Sequence, residues 1–167
     1  PHITRLSALG APEGREAWWS VARKVESDDL VLGSGLDATV VRCDWFMESL
    51  ALMVMGPLMF DIRVPREPLH WLAARDFGEM IVAAVRNRVT GVFDAHGPEP
   101  VSMYDATRRF MKAWPKRLLC VPCPVPLLRV AGLFDAQPRY GAQVMDHTFR
   151  YATGFRGDEA WTRLAKP

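Results

Sequence analysis

The sequence predicts an α/β domain built around a mainly parallel sheet. Segments with strand-like and helix-like periodicity alternate along the chain. The segment LDATVVR at residues 36–42 is short and almost continuously apolar, which is typical of a strand buried on both faces of a parallel sheet. The 167 residues, 49% apolar and 24% charged, have the size and composition of a globular domain that buries a core.

The first part of the chain is predicted to run strand, helix, strand. Residues 2–7 alternate apolar and polar side chains and lead into a loop rich in breakers. Apolar residues then recur at helical spacing from Glu16 to about Leu32, where two glycines follow. After the strand at 36–42 we expect a helix capped by Asp44 that runs to Met55.

The alternation continues to the end of the chain. Residues 62–64 and 69–72 are predicted as short edge strands, and Asp76 is predicted to cap a helix over 77–85. A strand at 91–95 precedes a helix that Ser102 caps and that ends near Trp114. Residues 118–121 are predicted as a strand, and residues 125–151 as mostly helical.

Composition and charge exclude several classes of function. The chain has 21 Lys and Arg against 19 Asp and Glu, and this near balance argues against a nucleic-acid partner. The uncharged runs are too short to span a bilayer, so we expect no membrane segment. Three cysteines cannot all pair, and no signal-like segment opens the chain; the expected location is therefore cytoplasmic.

Cys120 and Cys123 have the spacing of a redox or zinc half-site. No second cysteine pair and no paired histidine motif accompanies them. We therefore expect structural thiols and no metal.

Ser7 and Lys24 are the most informative polar pair. Ser7 lies at the end of the first strand and Lys24 on the following helix. Ligands of parallel sheets bind outside the carboxyl ends of the strands, where a hydroxyl and an ammonium can converge on one molecule. On its own this pair is only a candidate site, because any strand-end serine and exposed helix lysine give the same pattern.

Several motifs occur together in a characteristic order. They are LSALGA at residues 6–11, Lys24, SGLDATVVR at 34–42, WFME at 45–48, ARDFGEM at 74–80 and GVFDAHGPEPVS at 91–102. Together these motifs resemble the NmrA-like, atypical short-chain dehydrogenase/reductase family, over nearly the whole chain. The resemblance implies a Rossmann fold that binds NAD or NADP.

The family normally carries a Gly-rich phosphate loop in its amino-terminal half. No Gly-x-Gly-x-x-Gly follows a strand in this sequence. With Pro at residue 1, the resemblance therefore implies a fragment that begins at about the fifth strand of the family's sheet. We expect the second half of a Rossmann-like domain at 1–101, a small insert at about 56–75, and a mostly helical, substrate-side region at 102–167.

The resemblance also assigns site residues. Active relatives use a Tyr-x-x-x-Lys pair with a strand-end serine, in which the lysine lowers the pKa of the tyrosine. Ser7 and Lys24 match this serine and lysine, as candidate catalytic and cofactor-binding residues, but Ser20 stands at the tyrosine position. Because a serine hydroxyl is too weak an acid to replace the phenol, the resemblance implies a protein that binds or senses the cofactor.

The turn after the second strand matches the family's turn beside the nicotinamide. Cys43, Asp44 and Trp45 are therefore candidate cofactor-binding residues, and Trp45, Phe46 and Met47 are candidate substrate-binding residues. The family usually has Pro-Gly where this chain has Cys43-Asp44. Asp44 either accepts hydrogen bonds from the nicotinamide amide or only caps the next helix.

Two other functions remain open at this point. The first is an atypical NAD(P)H-dependent reductase or epimerase acting on a small carbonyl substrate, with Tyr104, Tyr140 or a water as proton source. The second is an interaction domain without cofactor, whose open sheet edge pairs with the missing amino-terminal half or with a second copy.

Overall fold

The computed structural model describes residues 1–9, 19–43, 45–63 and 68–151, together with Leu164. In chain order their elements are β1 (His2–Ala8), α1 (Trp19–Leu32), β2 (Asp37–Cys43), a 3-10 helix (Met47–Met53), β3 (Val54–Met55), β4 (Leu58–Arg63), β5 (Pro68–His70), α2 (Ala74–Arg86), β6 (Gly91–Ala95), β7 (Pro100–Ser102), α3 (Met103–Ala113), β8 (Leu119–Pro124), α4 (Val125–Ala131) and α5 (Ala136–Tyr151).

The first sheet contains three parallel strands in the order β1-β2-β6. Ala8 lies opposite Cys43, and Cys43 lies opposite Ala95, so the three strands end together at one edge. β2 is the central strand, and Val40 and Val41 are fully buried, one on each face. The predicted α/β class with a parallel sheet and flanking helices is confirmed.

The two faces of this sheet carry different helices. Arg5 and Ser7 point to the face on which α1 lies, because both side chains bond to Asp28 of that helix. On the other face, Met80 and Ala84 of α2 are buried in one cluster with side chains of β2 and β6. The sheet is therefore covered on both sides, as expected for parallel strands.

A second core forms beside the first sheet. It is enclosed by a sheet in the order β3-β4-β8, an antiparallel pair of β5 and β7, the 3-10 helix and α3. Its buried members are Leu50, Met59, Leu69, Trp71, Val101, Met103, Ala106, Leu118 and Met145. Strands from residues 54–70 thus pair with strands from 100–124.

The structure corrects the prediction of a helix from Asp44 to Met55. Asp44 lies outside the described residues, and the helix is a 3-10 helix over Met47–Met53 whose N-cap, Phe46, makes no side-chain cap. The chain then forms a hairpin, in which Val54 pairs with Met59 and Gly56 adopts a φ of +57°. Glycine tolerates this left-handed conformation, so the turn competes successfully with helix continuation.

Two smaller predictions also need correction. β4 is hydrogen-bonded to β3 on one side and β8 on the other, so it is not an edge strand. α2 begins at Ala74, which places Asp76 in the first turn and not at the cap. The backbone N–H of Ala74 instead donates to the two carboxylate oxygens of Glu48, at 3.1 and 3.0 Å.

Other local predictions are confirmed. The Ser102 hydroxyl accepts the backbone N–H of Asp105 at 3.1 Å and caps α3, as the sequence predicts. β6 has the predicted bounds of 91–95. Within the described residues, no helix is both long and apolar enough to cross a membrane.

The Glu48 contact leads to a stability prediction. Replacing Glu48 with Ala removes the acceptor at the positive end of α2 and should lower the free energy of unfolding by about 1 kcal/mol. Glu79→Ala is the matched control, because Glu79 makes only an exposed ion pair with Arg75, which is worth about 0.5 kcal/mol or less. Urea unfolding measures both; equal losses would contradict the capping role of Glu48.

Candidate functional site

The carboxyl-terminal edge of the first sheet brings Ser7 and Cys43 together. The Cys43 thiol donates to the carbonyl oxygen of Ser7 at 3.7 Å, and the backbone N–H of Leu9 donates to the carbonyl of Cys43 at 3.0 Å. Two of the residues predicted for the site are therefore neighbours on adjacent strands.

The hydroxyl of Ser7 points into the protein. Ser7 is 1% exposed, and its hydroxyl donates to Oδ2 of Asp28 at 2.7 Å. The Asp28 side chain is also buried, at 2% exposure. The Ser7 proton is thus held by a carboxylate of α1.

Asp28 is the centre of a charged network that the sequence analysis missed. Arg5 donates to its Oδ1 at 2.7 Å, and the Nε of Arg42 lies 3.8 Å from its Oδ2. The available sequence signal was the position of Asp28, three residues after Val25 on the sheet-facing side of α1. An acidic residue on the sheet-facing side of a helix requires partners, because burial of an uncompensated carboxylate is costly.

Lys24 lies one turn before Asp28 and is half-buried. Its carbonyl oxygen accepts from Arg5 at 3.3 Å, which ties this turn of α1 to β1. Among the described residues, none forms a hydrogen bond or an ion pair with the Lys24 ammonium. Ser20, also half-buried, lies four residues earlier and therefore on the same side of the helix.

Of the three residues predicted to bind substrate, Trp45 and Met47 lie beside the second core and Phe46 lies beside the first. Trp45 packs edge-to-face against Trp71, with ring centroids 5.9 Å apart, beside the second core. Phe46 packs against Phe77 at 5.4 Å, beside the first core. Met47 lines an apolar cavity whose walls also include Trp71. The structure therefore does not gather the three side chains into one pocket.

The two tyrosines considered as proton sources lie on helices of the second part of the chain. Tyr104 lies in the first turn of α3 and Tyr140 lies on α5, and each is about half exposed. The Tyr104 hydroxyl accepts from Arg108 at 2.7 Å. That bond raises the pKa of the Arg108 guanidinium.

The cysteine pair at 120 and 123 does not form a half-site. Both residues lie on β8, where positions three apart point to opposite faces. Cys120 is exposed, whereas Cys123 is buried and burial raises the pKa of its thiol. Redox thiols require the opposite shift, and no cluster of metal-ligating side chains occurs in the described part of the chain.

The Asp28 network can be tested through stability. Ser7→Ala removes one buried hydrogen bond and should lower the free energy of unfolding by about 1.5 kcal/mol. Asp28→Asn leaves Arg5 and Arg42 without their carboxylate and should cost about 3 kcal/mol. The exposed Asp37 at the start of β2 provides the matched control Asp37→Asn, which should cost less than about 0.5 kcal/mol. A Ser7→Ala variant as stable as wild type would contradict this structural role.

Comparison with known proteins shows similarity at the level of the fold. No family model and no curated protein matches the sequence. Solved structures do match: NADPH-dependent quinone oxidoreductase QOR2 from Escherichia coli, complexed with NADPH, superposes with a TM-score of 0.72 at 13% identity, over 98% of this chain and 60% of that one.

Two further structures are similar. A nucleoside-diphosphate-sugar epimerase from Staphylococcus aureus gives a TM-score of 0.69 at 12% identity, over 98% of this chain and 60% of that one. The Citrobacter sp. triphenylmethane reductase complexed with NADP(H) gives 0.68 at 9% identity, over 99% and 61%. The chain spans about 60% of the length of these structures, and it has the Rossmann-like fold of NAD(P)-binding epimerases and reductases.

Proposed function

We propose that this chain binds the nicotinamide-ribose end of NAD(P)(H) at the carboxyl edge of its first sheet, and that it binds or senses the cofactor without tyrosine-assisted catalysis. The fold supports this proposal, because ligands of such sheets bind at this edge. Solved structures with the same fold contain NADPH or NADP(H).

The residues fit one end of the cofactor better than the other. Lys24 has an ammonium with no described partner, and ribose hydroxyls are suitable acceptors for it. The sequence contains no Gly-x-Gly-x-x-Gly turn for the diphosphate. The proposed contribution of these residues is therefore limited to the nicotinamide and its ribose.

The contact between Ser7 and Asp28 is the observation that carries the non-catalytic part. Proton transfer to a substrate needs a hydroxyl that faces the substrate, and the Ser7 hydroxyl is buried against a carboxylate. Ser20 occupies the position four residues before Lys24, where a phenol would be needed. When bound, NAD(P)H supplies a hydride; these residues offer no matching acid.

Calorimetric titration tests the binding half of the proposal. Because the diphosphate turn is absent from these residues, NADPH and reduced nicotinamide mononucleotide should bind weakly and with similar affinity. Lys24→Ala should weaken the binding of both ligands by about tenfold, because one charge-assisted hydrogen bond is lost. Arg23→Ala is the control, since Arg23 is exposed on the same helix and pairs with Glu26.

Two outcomes would contradict the binding proposal. One is tight binding of NADPH with no binding of the mononucleotide, which would place the recognition at the diphosphate or adenosine. The other is an affinity for NADPH and the mononucleotide that is unchanged in the Lys24→Ala variant.

An activity assay tests the non-catalytic part of the proposal. NADPH oxidation across a panel of small carbonyls and quinones should be absent. Turnover that Lys24→Ala abolishes would overturn the non-catalytic part and favour the reductase alternative.

A second candidate function is supported by β1. Among the described strands, β1 pairs with β2 alone, so its other edge is open. Leu6 on this strand is 47% exposed, and the buried Thr4 hydroxyl has no described hydrogen-bond partner. We propose that a further strand-bearing segment or a second copy pairs along this edge.

Light scattering at tens of micromolar tests this pairing. The isolated chain should have a mass above that of a monomer, and Leu6→Lys should return it to a monomer, because charge on an edge strand opposes pairing. Leu52→Lys is the control, as Leu52 is exposed on the 3-10 helix. A monomeric wild-type chain would contradict pairing with a second copy and leave a further strand-bearing segment as the occupant. A Leu6→Lys variant that still associates would contradict pairing along this edge.

A further inference from the structure

An apolar cavity of about 330 Å³ lies between the 3-10 helix, β7 and α3. Its walls include Met47, Leu50, Trp71, Val101, Ala106 and Phe110. The volume falls within the range of small-molecule sites, roughly 300–1,000 Å³. Met47, a candidate substrate-binding residue, lines it, whereas Ser7, Lys24 and Cys43 do not.

The inner wall of the cavity is hydrophobic, and the polar atom of Trp71 is not available to a ligand. The indole N–H of Trp71 donates to the carbonyl of Val101 at 3.0 Å, so its polar atom is already bonded within the protein. Leu50 and Ala106 are also buried, whereas Met47 is 45% exposed at the mouth. Phe110 and Trp71 present aromatic surface, and the flexible Met47 side chain can adapt to an occupant.

The polar part of the cavity is an ion pair. Arg109 donates from both terminal nitrogens to the two oxygens of Glu99, each at 2.9 Å. Both side chains are exposed, which places the pair at the entrance. The guanidinium of Arg109 lowers the pKa of the Glu99 carboxyl, so the pair persists into mildly acidic solution. Because the two charges compensate each other, the entrance favours neither a cation nor an anion.

We propose that this cavity is a binding site for a small, uncharged, mainly aromatic molecule. Its hydrophobic body contacts Trp71, Leu50 and Phe110, and any hydroxyl it carries donates to the Glu99 carboxylate at the entrance. An anionic ligand is disfavoured, because Arg109 is already paired and Glu99 repels a second carboxylate.

Fluorescence titration with N-phenyl-1-naphthylamine, a neutral apolar probe, tests the site on the whole chain. Saturable enhancement is expected. Ala113→Phe narrows the cavity from an exposed position at the end of α3, and Ala106→Phe fills it from a buried one; each should weaken binding at least about tenfold. Ala51→Phe, an exposed position on the 3-10 helix outside the lining, is the control and should bind as wild type.

Displacement of the probe tests the ligand class. 1-Naphthol should compete better than 1-naphthoate, which has a similar ring system and a negative charge. Glu99→Gln removes the charge that holds Arg109 and should strengthen competition by 1-naphthoate. The same variant should weaken competition by 1-naphthol, because a neutral amide oxygen replaces the charged acceptor of its hydroxyl.

Three results would overturn the inference. The first is the absence of saturable probe binding to wild type. The second is unchanged binding in Ala113→Phe, with its fold verified by circular dichroism, which would place the probe elsewhere on the surface. The third is tighter binding of 1-naphthoate than of 1-naphthol by the wild-type chain.

Discussion

The buried carboxylate of Asp28 holds the first helix on the first sheet. It accepts from Ser7 and Arg5 on β1, and the guanidinium of Arg42 on β2 lies within ion-pair distance. A buried carboxylate without these partners would cost several kcal/mol, so the network fixes where α1 lies against the strands. The position of Lys24, one turn away and half-buried, follows from this docking. This electrostatic network thus sets the position of the turn of α1 that carries Lys24 against the first sheet.

The segment after β2 connects the two cores. Leu72 donates its N–H to the carbonyl of Trp45 and accepts the N–H of Met47, at 2.8 and 2.9 Å. Trp71 approaches Gly97 so closely that a Cβ at residue 97 would lie 1.7 Å from the Trp71 carbonyl oxygen, so only glycine fits. As a result, Trp45 packs against the second core and Phe46 against the first, whereas Met47 lines the apolar cavity.

Local sequence patterns correctly predicted those elements that are specified by their own residues. The alternation at residues 2–7, the β-branched run at 36–42 and the Ser102 cap each gave the correct element. Prediction failed where the decisive contact is remote. Glu48 caps α2 across 26 positions, so no local signal could mark Ala74 as the start of that helix. The helical pattern at 44–55 was likewise shortened, because residues 54–55 pair with β4, and β4 pairs in turn with the distant strand β8.

The sequence by itself determined the α/β class, the placement of Ser20 four residues before Lys24, and the lack of a Gly-rich phosphate turn, because composition and spacing are local properties. Only the tertiary structure decided the direction of the Ser7 hydroxyl, whose acceptor is 21 residues away. It also placed α1 and α2 on opposite faces of the first sheet. Because β1, β2 and β6 follow one another in one direction across that sheet, the crossover from β1 to β2 and the crossover from β2 to β6 have opposite hands. Such choices follow from which surfaces can be buried together, and periodicity along a chain does not encode them.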